Sequence, residues 1–212
     1  MTIVAMLIVF TGCGGERDNH SLTEQNEQVC LAAEQGDAQF NLGLMYLEGE
    51  GVSQDYEKAL YWFSLAAKQG LADAQFNLAL MYRHGLGVIQ DYEQAVYWLR
   101  LAAEQGNRSG QLSLGNMYVQ GLGVPQDYGQ SAYWYGLAAE QGLVNAQFNL
   151  GYMHQHGLGF SQNYEQAVYW YRLAAEQGLV DAQNNLGYMY WHGLGVPQDY
   201  EQAKYWLRLA AE

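Results

Sequence analysis

The stretch AQNNLGYMY at residues 182–190 decides the fold, because its pattern occurs four more times earlier in the chain. In each copy a leucine is followed three residues later by a methionine, and successive copies lie 36 residues apart. A fixed interval of this length is typical of stacked repeats that bury their apolar faces only against one another. The sequence therefore predicts a repeat array. The leucines are Leu42, Leu78, Leu114, Leu150 and Leu186, and the methionines are Met45, Met81, Met117, Met153 and Met189.

Short polar residues and glycines predict two helices in each repeat. The first, helix A, is expected to begin at a polar N-cap residue and to end at a glycine that suits a left-handed conformation. The second, helix B, has the same punctuation, and in four repeats a glutamine follows its cap at the spacing of a capping box. The helix A caps are Asp37, Asp73, Ser109, Asn145 and Asp181, and its glycines are Gly49, Gly85, Gly121, Gly157 and Gly193. The helix B caps are Asp55, Asp91, Asp127, Asn163 and Asp199, and its glycines are Gly70, Gly106, Gly142 and Gly178.

Apolar residues inside the predicted helices follow the helical period. Helix A of the second repeat carries Ala74, Leu78 and Met81 on one face, and its helix B carries tryptophan and alanine at the same kind of spacing. Small alanines let helices approach closely, while a tryptophan fills the space between repeats. We therefore expect the tryptophans to be packing residues rather than a ligand cage. They are Trp62, Trp98, Trp134, Trp170 and Trp206.

The whole pattern resembles the Sel1-like repeats, a family related to the tetratricopeptide repeats. Three stretches carry the resemblance most clearly: residues 182–190, 193–196 (GLGV), and 199–203 (DYEQA) with Trp206. The resemblance covers about residues 22–212 and recurs five times, with His154 standing where the pattern has tyrosine. It implies an all-α fold, a right-handed α-solenoid of helix-turn-helix repeats. It also implies a scaffold or adaptor that binds other proteins.

A second stripe of helix A, opposite the core stripe, is the predicted binding surface. Helix A lines the concave surface of related arrays, so the resemblance implies a groove there. The stripe varies between repeats and becomes more aromatic toward the C-terminus, and tyrosine and tryptophan supply large contact areas at low entropic cost. The alternative is that these side chains only cover the seams between repeats. The candidates for partner binding are Arg83, His84, Tyr152, Gln155, His156, Tyr188, Trp191 and His192.

Asparagines that directly precede the core leucine are secondary candidates. In tetratricopeptide relatives, an asparagine at the corresponding position of helix A can hold the backbone of a bound peptide. The alternative is a hydrogen bond within the array, because buried polar groups are normally paired. These residues are Asn77, Asn149 and Asn185.

The N-terminal residues differ in character from the repeats. The apolar stretch at residues 3–10 is shorter than the roughly 17 residues that a membrane-spanning helix needs, and it suits a signal peptide. Residues 10–13 (FTGC) resemble a bacterial lipobox, which implies lipidation of Cys13. We therefore expect a signal peptide at 1–12, a lipidated tether at 13–21, and half a repeat plus five repeats at 22–212. The implied location is the bacterial cell envelope, outer-membrane-anchored or periplasmic, or the cytoplasm if the segment is not a signal.

Charge and residue placement argue against several classes of function. A net charge of −13 with nine lysines and arginines disfavours binding to nucleic acid or to an anionic lipid surface, so membrane attachment is expected only through Cys13. The histidines occupy equivalent positions in separate repeats and would not converge on one metal ion. We therefore expect no catalytic residue, cofactor or metal, and a protein or peptide as partner. The alternative function is an envelope hydrolase or cell-wall-modifying protein of repeat architecture.

Overall fold

A computed structural model describes residues 36–212, which form ten α-helices and no strand. The helices alternate between helix A, with odd numbers, and helix B, with even numbers. The all-α architecture of consecutive helix-turn-helix repeats is confirmed. The predicted signal peptide, Cys13, the tether and the incomplete first repeat lie outside the described residues. The helices are α1 (Gly36–Glu48), α2 (Tyr56–Lys68), α3 (Ala72–His84), α4 (Tyr92–Glu104), α5 (Arg108–Gln120), α6 (Tyr128–Glu140), α7 (Val144–His156), α8 (Tyr164–Glu176), α9 (Val180–His192) and α10 (Tyr200–Leu209).

The chain divides into two compact units, an N-terminal unit ending at Trp98 and a C-terminal unit beginning at Leu99. In the N-terminal unit, α2 packs between α1 and α3. In the C-terminal unit, α6 packs between α5 and α7, and α8 packs between α7 and α9. Helix α10 packs against α9. Each of α2, α6 and α8 therefore contacts both the helix A of its own repeat and the helix A of the next.

The predicted caps of helix B are confirmed. Asp127 has an extended backbone, and its carboxylate accepts a hydrogen bond of 3.0 Å from the backbone N–H of Gln130. Such a bond satisfies one of the backbone donors left free at a helix start. The same bond forms at Asp55, Asp91, Asn163 and Asp199.

The end of helix B fixes the start of the next helix A. Gly70, at φ +92°, donates its N–H to Ala67 O at 3.0 Å, and Leu71 donates its N–H to Ala66 O at 3.3 Å. This is the Schellman arrangement of a helix C-terminus. Leu71 is also the N-cap of α3, so no further residue separates the two helices.

The predicted caps of helix A are therefore wrong. Leu71, Leu143 and Leu179 are the N-caps of α3, α7 and α9, with no side-chain hydrogen bond. Among the helix A starts that the structure describes in full, those of α3, α5, α7 and α9, only α5 has a side-chain cap: Asn107 accepts a 2.7 Å bond from the N–H of Gly110. In α3, α5, α7 and α9 the Schellman turn places the N-cap two residues before the predicted one. The predicted caps consequently lie inside the first turn, where the aspartates among them still interact favourably with the positive end of the helix dipole. These residues are Asp37, Asp73, Ser109, Asn145 and Asp181.

The glycines that end helix A are confirmed, and a second glycine allows close packing between repeats. Gly193 adopts φ +65° and closes α9 in the left-handed conformation. Gly195, at φ +69°, lies so close to the first turn of α8 that an added Cβ would be 2.3 Å from the carbonyl oxygen of Tyr164. Gly159 has the same relation to Tyr128. The GLG connector therefore joins one repeat to the helix B of the previous repeat.

The core forms where aromatic rings of helix B meet glycines of helix A. A Cβ on Gly115 would lie 2.6 Å from the Tyr135 ring, and one on Gly151 would lie 2.8 Å from the Tyr171 ring. Trp62, Trp134 and Trp206 are buried as predicted, whereas Trp98 and Trp170 are only partly buried. The small residues of the repeat are thus complementary to large rings of the same repeat.

A ladder of buried glutamines, which the sequence patterns did not reveal, links the layers. The Gln147 side chain donates to Ala139 O on the preceding helix B at 3.2 Å and accepts from the Gln177 side chain at 2.8 Å. Because each buried amide is paired, it ties helices together without leaving an unsatisfied polar group. Gln75, Gln111 and Gln183 donate in the same way to the preceding helix B.

Candidate functional site

Helices α7 and α9 present the most aromatic part of the predicted binding stripe. The exposed fractions of Tyr152, Tyr188 and Trp191 are 45%, 49% and 49%. His156 and His192, at the C-terminal ends of the same helices, are also exposed. We call the set Tyr152, Gln155, His156, Tyr188, Trp191 and His192 the helix A face.

Ring contacts order the helix A face. The Tyr152 and His156 rings lie 4.2 Å apart between centroids, and the Tyr188 and His192 rings lie 4.3 Å apart. Residues four apart on a helix are neighbours, so each of these two helices carries one such pair. Trp191 meets Tyr200 of α10 edge-to-face at 5.0 Å. The face therefore offers large rings whose conformations are already restricted.

Gln155 is attached to the core beneath the face. Its side-chain oxygen accepts a 2.6 Å hydrogen bond from the hydroxyl of Tyr171. Burial raises the pKa of this hydroxyl far above that of an ordinary tyrosine, and a hydrogen bond with Asn185 acts in the opposite direction. The hydroxyl therefore stays protonated and continues to hold Gln155 in place.

The candidate asparagines have partners within the array. Asn77 donates to Asp73 O of its own helix at 2.8 Å. Asn149 and Asn185 hydrogen-bond the hydroxyls of Tyr135 and Tyr171. All three are partly buried. Some of their amide capacity is thus used internally, and their role in partner binding stays a prediction.

Arg83 and His84 lie in the N-terminal unit, at the end of α3. Arg83 is partly buried, and its carbonyl accepts a 2.7 Å bond from Gln90; His84 is exposed. The structure therefore places eight of the predicted residues in the C-terminal unit, on α7 and α9: the six of the helix A face together with Asn149 and Asn185.

An open cleft extends the helix A face onto α10. It has a volume of about 750 Å³ and lies between α9 and α10. The sequence contained one signal for this cleft that the repeat analysis missed: Lys204 is charged, whereas the equivalent residues of the other repeats are apolar. Those residues are Leu60, Val96, Ala132 and Val168. The lining residues are Trp191, Tyr200, Glu201, Lys204, Leu207 and Arg208.

A second exposed surface, on helix B, was also missed. Each tyrosine that directly precedes a helix B tryptophan is about half exposed, with exposed fractions between 52% and 57%. Each also contacts the tryptophan ring edge-to-face, with centroids 4.9–5.2 Å apart. We call these residues the tyrosine row: Tyr61 and Tyr97 in the N-terminal unit, and Tyr133, Tyr169 and Tyr205 in the C-terminal unit.

Within residues 36–212, no group of three or more histidine, cysteine or acidic side chains is arranged to hold a metal ion. No helix in that part of the chain is long and apolar enough to cross a membrane.

The repeats match those of a known protein family. The Sel1 repeat model matches five consecutive stretches, at residues 36–71, 72–107, 108–143, 144–179 and 180–212. The chain belongs to the Sel1 repeat family. Members of this family are generally protein-interaction scaffolds. No curated protein matches the chain.

Solved bacterial structures share the fold. A protective antigen of uropathogenic Escherichia coli, c5321, is 42% identical over 98% of this chain, with a TM-score of 0.84; the chain spans only 45% of that antigen. A Sel1 repeat protein from Oxalobacter formigenes is 36% identical over 85% of this chain and 72% of its own, with a TM-score of 0.79. Immunity protein Pa5087 from Pseudomonas aeruginosa, 19% identical over 98% of this chain and 81% of its own, shares the fold alone (TM-score 0.52).

Proposed function

We propose that this Sel1 repeat protein is a non-catalytic adaptor that binds a peptide or partner protein along the groove lined by helix A. One observation carries the proposal: on α7 and α9, three large aromatic residues remain about half exposed while most other large apolar residues of these helices are buried or partly buried. Exposed, pre-ordered tyrosine and tryptophan are typical anchors of protein interfaces.

The chemistry of the helix A face favours a neutral or weakly charged segment. The rings of Tyr152 and Tyr188 alternate with amide and imidazole groups, and the only carboxylate of α7 and α9 is Asp181, in the first turn of α9. Amide and imidazole groups donate and accept hydrogen bonds, which suits the backbone of an extended peptide. Asn149 and Asn185 lie along the same helices and could add such bonds. In the N-terminal unit, Asn77, Arg83 and His84 would serve the same role.

A photo-crosslinking residue at Asn184, which is exposed on α9, tests the groove directly. We expect it to capture a discrete partner in cells, whereas the same residue at Ile89, which is 88% exposed in a connector, captures none. The captured partner would then be purified and titrated against the intact protein and variants.

A triple variant, Tyr152→Ala, Tyr188→Ala and Trp191→Ala, is expected to weaken that binding by about tenfold or more, which corresponds to about 1.4 kcal/mol. The matched control removes Tyr133, Tyr169 and Tyr205, three aromatic residues of similar exposure on helix B. Equal affinity of the groove variant and the intact protein would exclude the helix A face as the binding site.

We also propose an envelope location through a lipid on Cys13. Labelled palmitate should be incorporated into the intact protein and not into the Cys13→Ser variant. Equal labelling of the two proteins would exclude a lipid anchor at Cys13.

A peptidoglycan-hydrolysis assay addresses the alternative enzymatic role. Turnover that a single polar substitution abolishes would favour the hydrolase.

A further inference from the structure

The tyrosine row is constant in every repeat, although it is not buried. The side chains of Tyr133, Tyr169 and Tyr205 in the C-terminal unit are each more than half exposed. Each ring rests edge-to-face on the tryptophan that follows it, at 5.0, 4.9 and 5.0 Å. The exposed part of each ring is thus held in a fixed position and remains available for contact.

Carboxylates occupy the same side of helix B as the tyrosines. At 100° per residue, positions four before and seven after Tyr169 lie only about 40° and 20° around the helix from it. On α8 those positions are Glu165 and Glu176. Glu201 precedes Tyr205 and Glu140 follows Tyr133 at the same spacings.

These four carboxylates are exposed, and none of them forms an ion pair within residues 36–212. Both nearby arginines have partners of their own. Arg172 donates to the hydroxyl of Tyr190 at 2.7 Å, and Arg208 pairs with Glu212 at 3.4 Å. Lys204 and Arg208, the two cations of α10, are both exposed and both lie beside Tyr205. The surface around Tyr133 and Tyr169 is therefore aromatic and anionic.

The N-terminal unit contains a small internal example of what such a surface binds. The ammonium group of Lys58 lies 5.2 Å from the centre of the Tyr46 ring and 3.0 Å from the carboxylate of Asp55. A cation is thus held by one ring and one acid together. Cation–π attraction and charge pairing act on the same group in this arrangement.

We propose that the tyrosine row of the C-terminal unit, with Glu140, Glu165, Glu176 and Glu201, binds an arginine- or lysine-rich segment of a partner protein. Basic side chains lie over the tyrosine rings and between the carboxylates, one group for each repeat. This surface is separate from the helix A face, so the two bind different segments. Anionic membranes and nucleic acids are disfavoured, because the same carboxylates repel them.

The test uses the full protein and a synthetic arginine–glycine repeat peptide, with a neutral glycine–serine peptide as reference. Isothermal titration at about 0.15 M salt should show binding of the basic peptide only. Tyr133→Ser, Tyr169→Ser and Tyr205→Ser together should weaken it about tenfold or more, which is the sum expected for three exposed cation–π contacts. Circular dichroism checks that each variant is folded.

Two matched controls separate the row from net charge. Tyr152→Ser with Tyr188→Ser removes equally exposed rings from the helix A face and should leave the affinity unchanged. Glu140→Gln, Glu165→Gln and Glu176→Gln should weaken binding, whereas Glu48→Gln, Glu50→Gln and Asp181→Asn, which remove the same charge elsewhere, should have little effect.

Three results would overturn the proposal. The first is no binding of the basic peptide at this salt concentration. The second is equal loss with both acid triples and none with the tyrosine triple, which would indicate attraction by net charge alone. The third is binding of a neutral oligosaccharide, lost with the tyrosine triple, without binding of the basic peptide. None of these results bears on the helix A face, whose partner is tested with different variants.

Discussion

The exposed surfaces of α7 and α8 differ in how they repeat along the chain. Tyr152 on α7 is replaced by other residue types in most repeats, whereas Tyr169 on α8 is tyrosine in all five. Both side chains are about half exposed, at 45% and 52%. Constant residues in a repeat protein are usually packing residues. On helix A the exposed position of Tyr152 varies between repeats, as expected of a residue that does not pack. On helix B the exposed tyrosine is the same in every repeat, so packing alone does not explain the tyrosine row.

The largest expected effect tests whether the row is packing after all. Trp134 is 8% exposed and its neighbour Tyr133 is 57% exposed, although the two rings touch. Trp134→Ala should lower the free energy of unfolding by about 3–5 kcal/mol, because it removes a buried ring and leaves a cavity. Tyr133→Ala should cost less than about 1 kcal/mol. Urea unfolding measures the free energy of unfolding of both variants, and equal losses would show that the tyrosine row is structural.

A pair of glycines gives the next largest effect and tests the contact between repeats. Gly195→Ala places a Cβ against the Tyr164 carbonyl at a positive φ, and it should destabilise the protein by about 2–3 kcal/mol. Gly136, inside α6, has no atom within 4 Å of an added Cβ, so Gly136→Ala should stabilise by about 1 kcal/mol. Chemical unfolding should therefore show that the free energy of unfolding falls in the first variant and rises in the second. Loss of stability in both variants would contradict the assigned contacts.

The smallest effect concerns His154, the one helix A position where histidine replaces the tyrosine of the pattern. Its ring stacks on Phe160 at 4.0 Å, and burial lowers its pKa from the usual 6.5. Because the unfolded chain binds the proton more readily, stability is full above pH 6.5 and is lost as the pH falls through the lowered pKa. His154→Tyr should remove this part of the pH dependence. Thermal melts across the acidic range compare the two proteins, and parallel curves would exclude His154 as the cause.

Features that depend on a few neighbouring residues could be predicted from the sequence, whereas features that depend on packing could not. The helix B caps and both sets of helix-ending glycines were predictable, because a cap or a left-handed turn depends on residues within a few positions. The helix A start was not: Leu71 has no capping side chain and becomes the N-cap through the Schellman turn before it. At the candidate site, the exposed rings of Tyr152, Tyr188 and Trp191 follow from the helical period. The Gln155–Tyr171 bond joins side chains 16 residues apart and left no periodic signal.

The sequence by itself determined the repeat length, the two helices of each repeat and the family, because these depend on local hydrogen bonding and on a period that is written into the residues. Only the tertiary structure decided which surfaces stay open: the tyrosine row, the cleft at Trp191 and the stacked position of His154. Their exposure depends on which neighbouring helix covers each side chain. That is set by packing between segments tens of residues apart, such as those joined by the hydrogen bond from Gln177 to Gln147.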